Sequence, residues 1–226
     1  MQRSIVCNVC RGSRDENKRD RVSNELVKRI LEGMQRERIS TGSGEVMLFS
    51  TMGLKTSKKK LQTAALDAER MRSLAVWTAR SLETEHPVPF GAEIFHSKTG
   101  ERLMRAANAV GKENDPSSHA EVRTIRLACK KLKGFSLKGY TLYTTCEPCP
   151  MCMADALWAG LDRVVYGATI ADANRFCRQI RIPATEVAAR SDMRCVVEGS
   201  VERELCLTLF THPQMQKAFR TWSKKR

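Results

Sequence analysis

Between residues 67 and 84 the apolar positions recur with a helical period. Met71, Leu74, Ala75, Thr78 and Leu82 fall on one face. The period then changes. Residues 92–95 and 103–107 read as two strands around Lys98, Thr99 and Gly100, a hairpin turn. A helix is expected over 120–132, preceded by the helix-starting residues Asp115, Pro116, Ser117 and Ser118. Residues 140–145 alternate apolar side chains with Thr and read as a strand, and 149–161 as a helix with Pro148 near its start. A further strand ends at Tyr166, and 193–197 could supply a fifth. Residues 201–209 and 214–222 look helical, the second started by Pro213. Alternation of this kind predicts a sheet covered by helices on both faces, an α/β fold.

Residues 1–60 do not share the pattern and are read as a basic N-terminal extension to a domain spanning 61–226. The extension holds a charged run over 14–21, one short amphipathic helix over 24–38 and a linker-like Thr41-Gly42-Ser43-Gly44. Three readings stand for it: a disordered basic arm, a small accessory element, or an upstream stretch that is not translated. In the last case Met34, Met47, Met52 or Met71 is the start, and Met52 lies just ahead of the domain. No apolar run is long enough for a signal peptide or a membrane span. The nine cysteines form an odd number and lack a secretory context, which points to cytoplasmic thiols rather than disulfides.

The chemistry sits in two short stretches. His119-Ala120-Glu121 is followed about thirty positions later by Pro148-Cys149-Pro150-Met151-Cys152. One imidazole and two thiolates can hold a zinc ion, one per subunit, and leave its fourth position to water. Glu121, two positions from His119, points elsewhere and is placed to move protons beside that water. Histidine-x-glutamate followed by Pro-Cys-x-x-Cys is the signature of zinc-dependent nucleobase deaminases. Cys146 makes a second Cys-x-x-Cys with Cys149, but it ends a strand whereas Cys149 and Cys152 sit on a helix, so the latter two are kept as ligands. A four-cysteine structural site joining them to Cys7 and Cys10 is the competing arrangement, and a redox-active pair is another. Cys129, Cys177, Cys195 and Cys206 lie in mostly apolar surroundings and are expected in the core.

The stretches Pro89-Phe90-Gly91-Ala92, Asn114-Asp115-Pro116, His119-Ala120-Glu121-Val122 and Cys146-Glu147-Pro148-Cys149-Pro150-Met151-Cys152, with Tyr166-Gly167-Ala168, resemble the cytidine deaminase-like superfamily. Within it they are closest to the bacterial guanine deaminases and related nucleoside deaminases. The resemblance covers roughly 61–220. It implies a three-layer α/β/α sandwich with a five-stranded mixed sheet, and a small nucleobase or nucleoside substrate, purine and guanine-like. It also implies assembly as a homodimer. Asn108 is expected to hydrogen-bond the base, Phe90 to pack on it and Trp158 to lie near the pocket; Ala120 completes the substrate-binding set. The chain departs from guanine deaminases after the fourth strand. Where they carry Gly-Phe-Asp-Asp, it reads Asn174-Arg175-Phe176-Cys177-Arg178, without the acids.

The net charge is +14, from 39 basic and 25 acidic residues, and the excess is spread along the chain. Such a balance suits a nucleic-acid partner as well as general solubility. Two alternatives to a small-substrate deaminase follow. One is a tRNA adenosine deaminase, which extrudes its base into the pocket. The other is a non-catalytic, zinc-stabilised nucleic-acid-binding module, which keeps zinc but has no use for Glu121.

Overall fold

The structure is a computed structural model that describes residues 51–224, with side chains described from 60 to 222. The described residues all belong to one unit, Met47–Arg226. The expected features of residues 1–50, including Cys7 and Cys10, lie outside the described residues.

The chain begins with helix α1 (Thr51–Ala79), which ends in a 3₁₀ turn, Arg80–Glu83. The hairpin follows as β1 (Gly91–His96) and β2 (Arg102–Ala107). After it come α2 (Val110–Glu113), α3 (Ala120–Leu132), β3 (Tyr140–Cys146), α4 (Pro150–Trp158) and β4 (Arg163–Ala168). Then come α5 (Ile170–Asn174), α6 (Ala184–Ala189), β5 (Val196–Glu198), α7 (Arg203–Thr211) and α8 (Pro213–Lys224). The five strands form one mixed sheet in the order β2-β1-β3-β4-β5. β1 pairs antiparallel with β2 and β3, while β3–β4 and β4–β5 are parallel. The parallel pairs are joined through helices, as such connections require.

Successive strand residues face opposite sides of the sheet, and their partners show the two layers. Ala92, Ile94 and Leu142 enter a core cluster with Ala120, Ile125 and Ala128 of α3 and Met153, Ala156 and Leu157 of α4. Glu93 and Tyr143 point the other way, toward α1. Gly91 allows the close approach on that side: a Cβ there would stand 2.0 Å from Thr78 Oγ1 on α1. Gly167 does the same for α7, where a Cβ would meet Cys206 Sγ at 2.3 Å. The three-layer sandwich with a five-stranded mixed sheet is therefore the observed fold.

The α1 side is held by buried polar groups as well as apolar ones. Asp67, 3% exposed, accepts two parallel hydrogen bonds from Arg163 and one from the Tyr143 hydroxyl at 2.6 Å. Arg163 also meets Glu198 of β5. One carboxylate thus ties α1 to β3 and β4, and through Arg163 to β5. Burial and the neighbouring Asp67 push the Tyr143 hydroxyl up to about 12. Glu93, fully buried on β1, is clamped by Arg105, whose guanidinium also covers the Trp77 ring.

The helices over 120–132 and 214–222 were expected nearly where they lie. The fifth strand is shorter and later than the expected 193–197, because only Val196–Glu198 pair with β4. Helix α1 begins well before 67. Residues 60–66 are exposed and bury no face, so periodicity could not reveal them. Among the described residues no helix is long and apolar enough to cross a membrane.

Removing the Asp67 carboxylate would leave the Tyr143 hydroxyl without its acceptor and Arg163 with Glu198 alone, and breaking a buried pair from one side costs about 3–5 kcal/mol. Asp67→Ala is expected to lower unfolding stability by about 3 kcal/mol in urea titration. Leu61→Ala, at a position 67% exposed, should leave the midpoint within about 0.5 kcal/mol of its original value.

Candidate zinc-binding active site

Parallel β3 and β4 end side by side, Cys146 opposite Ala168. In open α/β sheets the crevice beyond the carboxyl ends of the strands is where ligands bind. Two helices start at this end. His119 is the N-cap of α3 and Cys149 the N-cap of α4, with Pro150 opening that helix. Cys149 is therefore the residue before the helix rather than its first residue, as expected from sequence, and Cys152 lies in the first turn. N-cap positions usually carry Ser, Thr, Asp or Asn, whose side chains accept hydrogen bonds from the free N–H groups of the first turn. Neither His119 nor Cys149 makes such a bond. Both side chains turn toward each other instead.

His119 Nδ1 lies 3.7 Å from Cys149 Sγ and 3.5 Å from Cys152 Sγ, and the two sulfurs are 3.6 Å apart. Tetrahedral zinc with bonds of about 2.3 Å to sulfur and 2.0–2.1 Å to nitrogen would set ligand atoms roughly 3.6–3.8 Å apart. The three donors fit that ion, and among the described residues they form the one His/Cys/Asp/Glu cluster with metal-ligand spacing. The neighbouring Cys152 thiol and His119 push the Cys149 thiol down to about 4. The positive ends of α3 and α4 favour negative charge at the same place. Cys146 stands outside the trio. It is buried at the end of β3, and burial pushes its thiol well up, which suits an inert neutral group.

Glu121 lies in the first turn of α3, 5% exposed, close enough to His119, Cys149 and Cys152 for each to act on its charge. Burial pushes this carboxyl up to about 7. A carboxyl in that range can accept a proton and release it again near neutrality.

The remaining expected residues divide. Phe90 and Asn108 are neighbours, since the Asn108 N–H donates to the Phe90 carbonyl at 3.0 Å. Asn108 Oδ1 accepts from Val110 N–H at 3.1 Å, which fixes the amide and leaves its NH₂ as the end available for a ligand. Phe90 is half-buried and meets Phe210 edge-on at 5.4 Å. Ala120 is fully buried in the core cluster, between His119 and Glu121. Trp158 lies apart from these groups. It is 77% exposed and lines a recess of about 260 Å³ with Phe135, Val122, Ile125 and Arg126, and none of the zinc-type donors borders that recess. Cys149 and Trp158 are nine residues apart along one helix, or about 13 Å at 1.5 Å per residue, and so they occupy opposite ends of it.

Sequence reasoning missed the polar struts around the site. Ser118, fully buried next to His119, bonds Glu113 and Asp115, and Arg123 links Glu113 to the Ala107 carbonyl. Thr145 Oγ1 donates to the Pro89 carbonyl at 2.8 Å and accepts from Gly91 N–H at 3.0 Å, holding the Phe90 segment against the end of β3. Glu147 accepts from Ile170 N–H at 2.8 Å and Ala184 N–H at 2.9 Å. The Asn-Asp-Pro-Ser-Ser run signalled the first of these as a helix start. Nothing in the sequence signalled the other two.

Comparison with known proteins agrees with this geometry. Residues 66–168 match the cytidine and deoxycytidylate deaminase zinc-binding region. The guanine deaminase of Bacillus subtilis is 47% identical over 85 residues, which cover 38% of this chain and 53% of that protein. The tRNA-specific adenosine deaminase of Agrobacterium fabrum is 40% identical over 95 residues, 42% of this chain and 61% of that protein. The chain thus spans between half and two thirds of the length of these relatives. A solved guanine deaminase from Nitrosomonas europaea shares the fold, with a TM-score of 0.57 at 21% identity over 68% of this chain and 84% of that one. A solved protein from work on A-to-I editing by tRNA:A34 deaminases aligns over 62% of this chain and 99% of that one, at 27% identity and a TM-score of 0.54. His119, Glu121, Cys149 and Cys152 all lie within the matched stretch, residues 66–168.

Proposed function

We propose that the protein is a zinc-dependent hydrolytic deaminase of an aminated purine, guanine-like as base or nucleoside, releasing ammonia. The observation that carries this reading is the buried Glu121 carboxyl beside three convergent donors, two of them helix N-caps. The purine assignment draws support from the relatives, a guanine deaminase and tRNA-specific adenosine deaminases.

His119 Nδ1, Cys149 Sγ and Cys152 Sγ would hold the ion. Bound zinc supplies Lewis acidity, which lowers the pKa of a water from 15.7 to about 7. Glu121 would take a proton from the attacking water and deliver it to a ring nitrogen of the base as the new C–O bond forms at the amino-bearing carbon. It would then take the proton of the newly added hydroxyl and give it to the amine as the C–N bond breaks, so that a carbonyl forms, water is consumed and ammonia leaves. The NH₂ of Asn108 orients an acceptor on the base, and the Phe90 ring provides a flat apolar wall for it. A second reading, adenosine deamination within tRNA, rests on the several tRNA-specific relatives and on the net charge of +14. Ammonia release from guanine, guanosine, adenine and cytosine, set against inosine formation in tRNA, separates the two. Inosine in tRNA with no small-molecule turnover would replace the first reading by the second.

Glu121→Gln should keep fold and metal while kcat falls by about 10²–10⁴-fold, the range for a lost general acid–base group. Unchanged biological activity of that variant would favour a zinc-stabilised binding module. Cys149→Ala and Cys152→Ala should each abolish stoichiometric zinc by metal analysis, whereas Cys146→Ala should retain it. Loss of zinc in Cys146→Ala would move the ligand set. The homodimer belongs to the same proposal and draws on the recess where Phe135 is 86% and Trp158 77% exposed, a patch of the sort that marks association surfaces. Sedimentation should give twice the chain mass for the intact protein and the single mass for Trp158→Asp; a monomeric intact protein would sink this part.

A further inference from the structure

The segment between α5 and α6 leaves the carboxyl end of β4, beside the zinc-type donors, and it is built as a closed loop. Glu147, the residue before Pro148 and Cys149, is 8% exposed. Its two oxygens each accept one backbone N–H, from Ile170 at the start of the loop and from Ala184 at its end. These are the first residues of α5 and α6, whose N–H groups lack helical partners. The stem is secured further. Thr169 and Asp172 cap each other, and Arg203 takes both oxygens of Asp172. Phe176 is packed against Phe210 and Phe219. One carboxylate in the metal motif therefore holds both ends of this loop at the site.

The middle of the loop faces two ways. Cys177 lies near enough to Cys146, itself beside Glu121, for their charges to interact, and Gln179 turns in to meet Cys177 Sγ at 3.2 Å. Arg178 stands between these inward residues and is exposed, as are Arg175 and Arg181. No acidic residue occurs from 173 to 185. Among the described residues none of the three guanidiniums has a carboxylate partner. The nearest acids in sequence are taken: Asp172 by Arg203, and Glu186 by Arg190. Arg175 instead covers the Phe176 ring at 5.7 Å.

We propose that Arg178 and Arg181, with Arg175 beside them, form a phosphate-reading rim at the mouth of the site, so that the target base arrives as a phosphate ester rather than free. This rests on the deaminase reading and names its substrate class. Guanidinium groups match phosphate oxygens through paired N–H donors. Three of them on a loop whose ends Glu147 holds beside the zinc-type donors, without acids to neutralise them, would select an anionic group carried on the sugar of the base. The same phosphate chemistry is offered by a free mononucleotide and by a single strand of nucleic acid.

The test compares the zinc-loaded full chain on guanine, guanosine and guanosine monophosphate, on the adenine series, and on a short single-stranded RNA bearing the same bases. Specificity, kcat/KM, should favour the phosphate esters by about tenfold or more, the scale of one or two charged hydrogen bonds. The double variant Arg178→Ala, Arg181→Ala should raise KM for the esters until that advantage is gone. Lys138→Ala, at the opposite end of β3, should keep it. Preference for the mononucleotide over the RNA, or the reverse, identifies the source of the phosphate. Equal turnover of base, nucleoside and nucleotide, unaffected by the arginine changes, would overturn the rim and leave the deaminase standing. If nothing is turned over, zinc-loaded Glu121→Gln is titrated calorimetrically with guanosine and adenosine monophosphates. Binding that the arginine changes abolish supports the rim and removes the deaminase reading. Absence of binding overturns the rim.

Discussion

Two helix N-termini meet at one point, and the site depends on that meeting. A helix start needs partners for its first N–H groups, and a good cap side chain is worth about 1 kcal/mol. Here both cap positions carry donors for something else, His119 on α3 and Cys149 on α4, and neither side chain bonds its own helix. The arrangement gives up local helix stability at two places. In return, one imidazole and two sulfurs stand within 3.7 Å of one another, with the positive ends of both helices behind them. A cation held there would add coordination energy to the folded state, and so would couple metal binding to folding.

The rest of the domain keeps those helix starts in place. The sheet fixes the ends of β3 and β4 side by side, and the core of Ala92, Ile94, Leu142 and Met153 packs α3 and α4 on one face. On the other face Asp67 binds Arg163 and Tyr143, so that α1 backs the strands that carry the site. Nearer the donors the struts are polar: Ser118 under His119, Thr145 behind Phe90, and Glu147 across the base of the arginine loop. Buried polar groups are costly unless paired. Each of these three is paired, which makes them rigid positions rather than weak ones.

The donors were legible in the sequence because their chemistry depends on short spacings: His119 and Glu121 two apart, Cys149 and Cys152 three apart. The sandwich was legible because strand and helix periods alternate cleanly from 67 to 166. The N-terminal part of α1 was not, since residues 60–66 bury no face, and β5 is only three residues long and partly exposed. Glu147 was hidden for a different reason. Its partners are backbone N–H groups 23 and 37 residues later, and no side-chain pattern marks them. Trp158, expected near the pocket from resemblance, stands at the far end of the helix that Cys149 caps. The arginines of the loop were noticed only as a departure from a pattern; their meaning needed the placement of Cys177 and Gln179.

X-ray absorption at the zinc edge tests the central claim most directly, because it reads the first coordination sphere without reference to turnover. The account predicts two sulfurs at about 2.3 Å, one imidazole nitrogen at about 2.0–2.1 Å and one further light atom, with this signal lost when Cys149 is replaced by Ala. A four-sulfur sphere, or a sphere that does not change with Cys149, would contradict it.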